Sequence, residues 1–272
     1  MNFKKWRSPK LILFLILPLL LGYYANVQAN INRSKNKLAG QQVLSQKPSP
    51  LPQQKPSQQS KRKPISIILP NEGAPGNRKG ADTRGPCAND KNKPNLTALI
   101  PGKLFGLTIT ERPTFWFYVP YQANSKTPVE FTLTDKQEKE IYQENLLLTN
   151  TPGVIGVTIP ANVSALEVDQ IYEWKLSVTC SPVIDTVSGR IKRVKASAEV
   201  MSQLQASRGR SRIIIYAENG FWYDTLTGLI ELRRQNPQDE GLKTDWQDLL
   251  KPKEIGLENI VSEPIVSCCK SK

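Results

Sequence analysis

The chain has 272 residues, of which 39% are hydrophobic and 7% aromatic, with 21 Pro, no His and a formal net charge of +13. That length allows one large domain or two small ones, with a packed core over part of it. The missing His excludes Ser-His-Asp and Cys-His nucleophiles and every His metal site.

The charge is unevenly placed. Residues 1–64 hold 12 Lys and Arg and no acid, leaving 25 bases against 24 acids in the rest. A nucleic-acid groove puts its basic patch on a folded face. Here the expected folded body is near neutral, so nucleic acid is not an expected partner.

In chain order, residues 1–10 carry Lys4, Lys5, Arg7 and Lys10, and residues 11–21 are an apolar run broken only by Pro18. A more polar stretch then ends at Val27-Gln28-Ala29. This is the order of a secretory signal peptide. A membrane anchor would need about 20 apolar residues, roughly twice this run. Residues 1–29 are therefore read as a signal peptide cut after Ala29, and the chain as exported, periplasmic or extracellular, in an oxidising compartment. No Cys precedes Cys87, which leaves none for a lipoprotein anchor.

Residues 30–64 read as a disordered, basic spacer rich in Pro, Gln and Ser, as in Lys47-Pro48-Ser49-Pro50. Too few apolar groups are present to offset the entropy of ordering. Lys61-Arg62-Lys63 could attract anionic lipid or a wall polymer, giving a peripheral membrane or wall contact. Dispersed bases favour a plain solvated spacer.

Residues 65–194 read as β. Val129, Phe131 and Leu133 alternate with polar neighbours, and Tyr172, Trp174, Leu176 and Val178 do so most clearly. Strands buried on one face argue for antiparallel pairing. Residues 114–119 are apolar on both faces and read as a central strand. Further strands are expected at 65–69, 97–100, 139–143, 154–159 and 187–194, with Asp135-Lys136-Gln137-Glu138 as a hairpin turn. Six to nine short strands suggest an antiparallel immunoglobulin-like β-sandwich, within an α+β chain. The immunoglobulin Cys…Trp…Cys pattern fits poorly, since Cys87 lies well before Trp116.

Residues 195–272 read as a small helical hairpin region packed on the sandwich. Val200 and Leu204 can share one helical face, and Trp222, Leu226, Leu229 and Ile230 another, with Asn219-Gly220 as the stop between. The segment from Ile215 to Leu226 is similar to the turn of a tetratricopeptide hairpin, but a single copy supports no solenoid. Trp222 and Leu226 are better read as core contacts. Residues 245–250 suggest a third short helix, stopped before Pro252.

Several blocks together carry a resemblance. They are the Gly/Arg block from Gly76 to Cys87, Leu96-Thr97-Ala98-Leu99-Ile100-Pro101, and Pro113-Thr114-Phe115-Trp116-Phe117-Tyr118-Val119-Pro120. Tyr172-Glu173-Trp174, the run from Tyr216 to Asp224, and Trp246-Gln247-Asp248-Leu249-Leu250 follow. In this order, over roughly residues 70–265, the chain resembles the family called domain of unknown function 928. The resemblance implies a secreted cyanobacterial protein and brings no activity, cofactor or catalytic residue. A second Gly, usual for the family near Lys79, is missing.

Arg78, Gly80, Arg84 and Gly85 form a candidate anion-binding loop, because successive amides at glycines can make a nest. The spacing matches no phosphate motif, which favours a Gly-rich arm laid against the sandwich and fixed by Cys87. The preferred disulfide is Cys87–Cys180. Cys268 and Cys269 could form a vicinal disulfide, link to another chain or stay as thiols, and make a poor metal site by themselves.

The acid pairs Glu138/Glu140, Asp239/Glu240 and Asp245/Asp248 read as solvated faces, and no Ser-x-x-Lys stands at a helix start. The expectation is an exported envelope module, non-catalytic, that binds an envelope protein or cell-wall polymer or serves as a scaffold. No cofactor or metal is expected. The alternative is an envelope hydrolase with a carboxylate pair. A cleft with two converging acids would favour the hydrolase, and a wide aromatic patch the binding module.

Overall fold

The computed structural model describes residues 62–70, 76–80, 93–102, 105–122, 127–180 and 183–271. The expected signal peptide and nearly all of the spacer lie outside these.

Two sheets face each other. The smaller holds β1 (Thr97–Ala98), β3 (Thr114–Val119) and β6 (Gly153–Thr158), in the order β1-β3-β6. The larger holds β2 (Gly106–Thr108), β4 (Val129–Thr134), β5 (Glu140–Leu147), β7 (Ile171–Cys180), β8 (Val183–Arg193) and β9 (Lys270–Ser271). Its order is β2-β8-β7-β4-β5-β9. The alternation read at 129–134 is realised residue by residue: Val129, Phe131 and Leu133 are buried and their neighbours half-buried. Asp135 closes the β4–β5 hairpin, accepting from the amides of Gln137 and Lys139 at 2.9 and 3.0 Å.

The strand expected to be apolar on both faces is the middle strand of its sheet, and its two faces meet different partners. Phe115 and Phe117 point at the larger sheet, with Phe115 5.0 Å from Phe131 and Phe117 5.4 Å from Trp174 between ring centroids. Trp116 instead donates its Nε1 proton to Thr227 Oγ1 at 2.9 Å, so it faces a helix.

Two expectations need correction. The sheets are not purely antiparallel: β2 pairs in parallel with β8, Gly106 opposite Ile191 and Thr108 opposite Arg193. Three residues are too few to show a pattern, and the direction is set by the connections around them. Residues 65–69 are not a strand. They run extended past a helix end, where the Ile68 amide donates to Ala217 O at 3.0 Å and Ile65 is buried in the core. β-branched residues suit any half-buried extended run, whether or not a sheet edge is beside it.

Four helices follow: α1 (Ala198–Ala206), α2 (Gly209–Glu218), α3 (Trp222–Gln235) and α4 (Glu240–Leu250). Ser197 and Asp239 cap α1 and α4, accepting from the amides of Val200 and Leu242. The α2–α3 turn uses Gly220 at φ +74°, where a Cβ would stand 2.5 Å from Ile68 O. Helices and sheets share one core, since Tyr223 of α3 lies 5.5 Å from Phe115 and its hydroxyl accepts from Trp174 Nε1 at 2.9 Å. Trp222 and Leu226 are fully buried. The described residues form one compact unit. Arg62 and Lys63, grouped with the spacer by composition, are ion-paired to Asp245 and Glu218 within it.

After α4 the chain bridges both sheets. The Val154 amide of β6 donates to Pro264 O at 2.7 Å, and that of Val266 returns to Val154 O at 3.0 Å. Residues 270–271 then pair with Leu147 and Leu146 of β5. Among the described residues, no helix is long and apolar enough to cross a membrane.

Candidate functional site

The exposed side of α3 is bordered by α2, the β2–β3 connection and the ends of β3 and β6. Three depressions follow one another along it, of about 340, 350 and 230 Å³. Tyr216, Gly228 and Glu231 line both the first and the second, while Thr114, Thr158 and Glu231 line both the first and the third. They therefore form one groove with Glu231 at the junction. Its first two parts fall in the size range of small-ligand sites. Tyr223, Thr227, Glu231 and Arg234 follow each other at helical spacing, so the groove tracks about 16 Å of α3.

The floor of the first depression is Asp224, which is buried. One carboxylate oxygen accepts from the Ile109 amide at 3.1 Å and the other from the Thr110 hydroxyl at 2.5 Å. Burial outweighs these bonds and pushes the carboxyl above its ordinary range. Asp224 thus ties the first turn of α3 to the β2–β3 connection.

Three arginines border the groove and each is held by the fold. Arg112 donates twice to Val163 O, at 3.1 and 2.9 Å. Arg212 donates to the Tyr216 hydroxyl at 2.8 Å and lies over that ring. Arg234 donates to Val266 O at 2.8 Å and lies 5.0 Å over the Trp116 ring, and its desolvation lowers its basicity.

A family model described as Domain of Unknown Function (DUF928) matches residues 79–265. The chain belongs to that family. No curated protein matches it. The family match spans both facing sheets except β9, and all four helices, and it contains every groove-lining residue except Ser267 and Cys268. Apart from those two residues, the groove lies within the matched span.

The residues singled out from sequence lie elsewhere. Arg78 donates to the carbonyls of Ile100, Ile255 and Gly256, joining the arm to the loop after α4. Burial lowers its basicity. Gly80 packs against the Asp185 carboxylate. Arg84, Gly85 and Cys87 lie outside the described residues, and so does the Cys180 side chain. Cys268 and Cys269 are joined as a vicinal disulfide, and Cys268 lines the third depression. Glu138 and Glu140 are exposed, and Asp239 is the α4 cap.

Asp245 is a correction. It is not on a solvated face but buried, where Arg62 and Arg210 both donate to it. The groove residues were missed for a simple reason. Asp224 and Glu231 are seven apart and share a helix face, which a helical count would find. The threonines opposite come from distant strands, and no local spacing announces them.

Proposed function

We propose that the chain is an exported, non-catalytic binding module of the cell envelope, whose α3 groove holds an extended ligand. The observation that carries this reading is the run of three depressions meeting at Glu231, whose carboxylate accepts no hydrogen bond among the described residues. Export is supported by the charged, apolar and small-residue order of residues 1–29, and a disulfide at Cys268–Cys269 suits an oxidising compartment. The basic spacer would hold the domain away from a membrane or wall, and the resemblance suggests a cyanobacterial envelope. The partner is a wall polymer or an envelope protein.

A hydrolase would have to use Asp224 with Glu231. Both Asp224 oxygens are engaged in holding α3 to the β2–β3 connection, which supports binding over catalysis. Covalent footprinting of the full chain with isolated envelope of its native host tests the reading. Labelling of Tyr216 should fall on mixing, and Glu231→Arg should restore it. Equal labelling of Tyr216 with and without envelope would remove the groove as a binding site.

A further inference from the structure

We infer that the groove accepts a neutral, polyhydroxylated chain, that is, a glycan. The inference rests on the groove being the ligand site and adds the ligand's chemistry. It follows from counting which hydrogen-bonding groups the fold leaves free.

A hydroxyl has one proton to give and two lone pairs to accept with. Thr227 Oγ1 accepts from Trp116 Nε1 at 2.9 Å, and Tyr216 Oη accepts from Arg212 Nε at 2.8 Å. Among the described residues neither hydroxyl has an acceptor for its own proton, so both protons are available to a ligand. Thr114 and Thr158 share one bond at 2.7 Å, which uses one of their two protons and leaves the other. Glu231 lines the same depression, and its carboxylate accepts no hydrogen bond among the described residues. The donor hydroxyls of Tyr216, Thr227 and the Thr114–Thr158 pair therefore line the same depression as one acceptor, Glu231.

The charges argue in the same direction. Arg112 stands 3.8 Å from Glu111, and Arg234 feels the opposite charge of Glu231. Arg212 lies over the Tyr216 ring. An acidic polymer would meet guanidiniums already docked on carbonyls or rings, and would bring its charge against Glu231. A basic peptide would find one free carboxylate among three arginines. Sugar hydroxyls, each a donor and an acceptor, match the free groups without adding charge. A groove following about 16 Å of helix suits an oligomer rather than a single ring.

The test uses the full chain and three kinds of probe: neutral hexasaccharides of β-glucan, α-glucan, mannan and chitin type, then polygalacturonate, then oligolysine. Binding is read by calorimetry and by Trp fluorescence at low and high salt. The expected result is binding of at least one neutral hexasaccharide with little salt dependence, because no ion pair is screened. Glu231→Ala should weaken it tenfold or more, whereas Glu231→Gln, which keeps an acceptor oxygen, should weaken it less. Glu231 is exposed, so both variants should fold, which thermal unfolding checks. Binding of oligolysine instead, with steep salt dependence and equal losses for both variants, would overturn the glycan and keep the groove. Binding of polygalacturonate alone would do the same. Failure of every neutral hexasaccharide overturns the inference, and unchanged Tyr216 labelling with native envelope would then remove the groove reading as well.

Discussion

Replacing Asp245 asks whether residues 62–70 are a working part of the fold. The Asp245 side chain is 1% exposed and accepts from Arg210 Nε and Nη2, both at 2.8 Å, and from Arg62 Nη2 at 2.5 Å. Arg210 also donates to Lys63 O, so one carboxylate joins α4, α2 and the incoming chain. Removing one partner of a buried ion pair costs about 3–5 kcal/mol. Here the arginines are 22% and 40% exposed and can regain water, so about 2–3 kcal/mol is expected for Asp245→Asn. Arg62→Ala, which removes only the more exposed partner, should cost about 1 kcal/mol or less. Urea unfolding at neutral pH measures both, with an unchanged slope showing that stability alone has changed. In the Asp245→Asn background, Arg62→Ala should cost almost nothing, since the two changes remove the same contact. Limited proteolysis should cut faster at Arg62 and Lys63 in the Asp245 variant. A value within about 0.5 kcal/mol of the parent, with unchanged cutting, would refute the tie and return residues 62–64 to the spacer.

Gly106→Ala should destabilise by about 1–3 kcal/mol in urea, because its Cβ would meet Tyr223 Cε2 at 2.6 Å and Trp222 Cδ1 at 3.1 Å; no loss would mean that α3 is free to move off β2. The Asp224 carboxyl has a folded pKa raised by burial, so its contribution is fully present below about pH 4 and is lost as pH rises through the folded value. The stability of Asp224→Asn relative to the parent should therefore improve from about pH 4 upward, and a flat difference would contradict the raised pKa. Peptide mapping without reduction should find Cys87 joined to Cys180, and Cys87→Ser and Cys180→Ser should be non-additive; a link from Cys87 to Cys268 or Cys269 would overturn both that pairing and the vicinal bond. Intact mass of protein from its native host should begin near Asn30, and a retained Met1 in the cytoplasm would overturn export.

The strands that could be read from sequence are those whose side chains sort by face. β4 and β7 bury every second residue because one face meets β3 and the other meets water. β3 breaks that alternation since Phe115 and Phe117 meet the larger sheet while Trp116 meets α3, so being apolar on both faces marked it correctly as central. Gly106–Thr108 offers no such sorting, and its parallel pairing depends on the whole chain path between β2 and β8. Residues 65–69 show the opposite failure, a β-like composition with a helix end as the neighbour.

Asp245 shows where the pattern was present and charge misled. Leu242, Trp246 and Leu249 are buried on α4, and Asp245 lies three, one and four residues from them. Helical spacing alone puts it on the inward face. An inward carboxylate demands a cationic partner, and that partner had to come from elsewhere in the chain. Arg62 and Arg210 supply it, which gives part of the early basic charge a structural use. The groove repeats this logic at the surface. Its walls are built by the same α3 that carries Trp222 and Tyr223 into the core, so the helix cannot shift along the groove without moving the Trp174–Tyr223 hydrogen bond. The groups lining the groove are thus set by core packing, and a rigid array of this kind suits the proposed recognition, since immobilised donors and acceptors would cost little further ordering on binding.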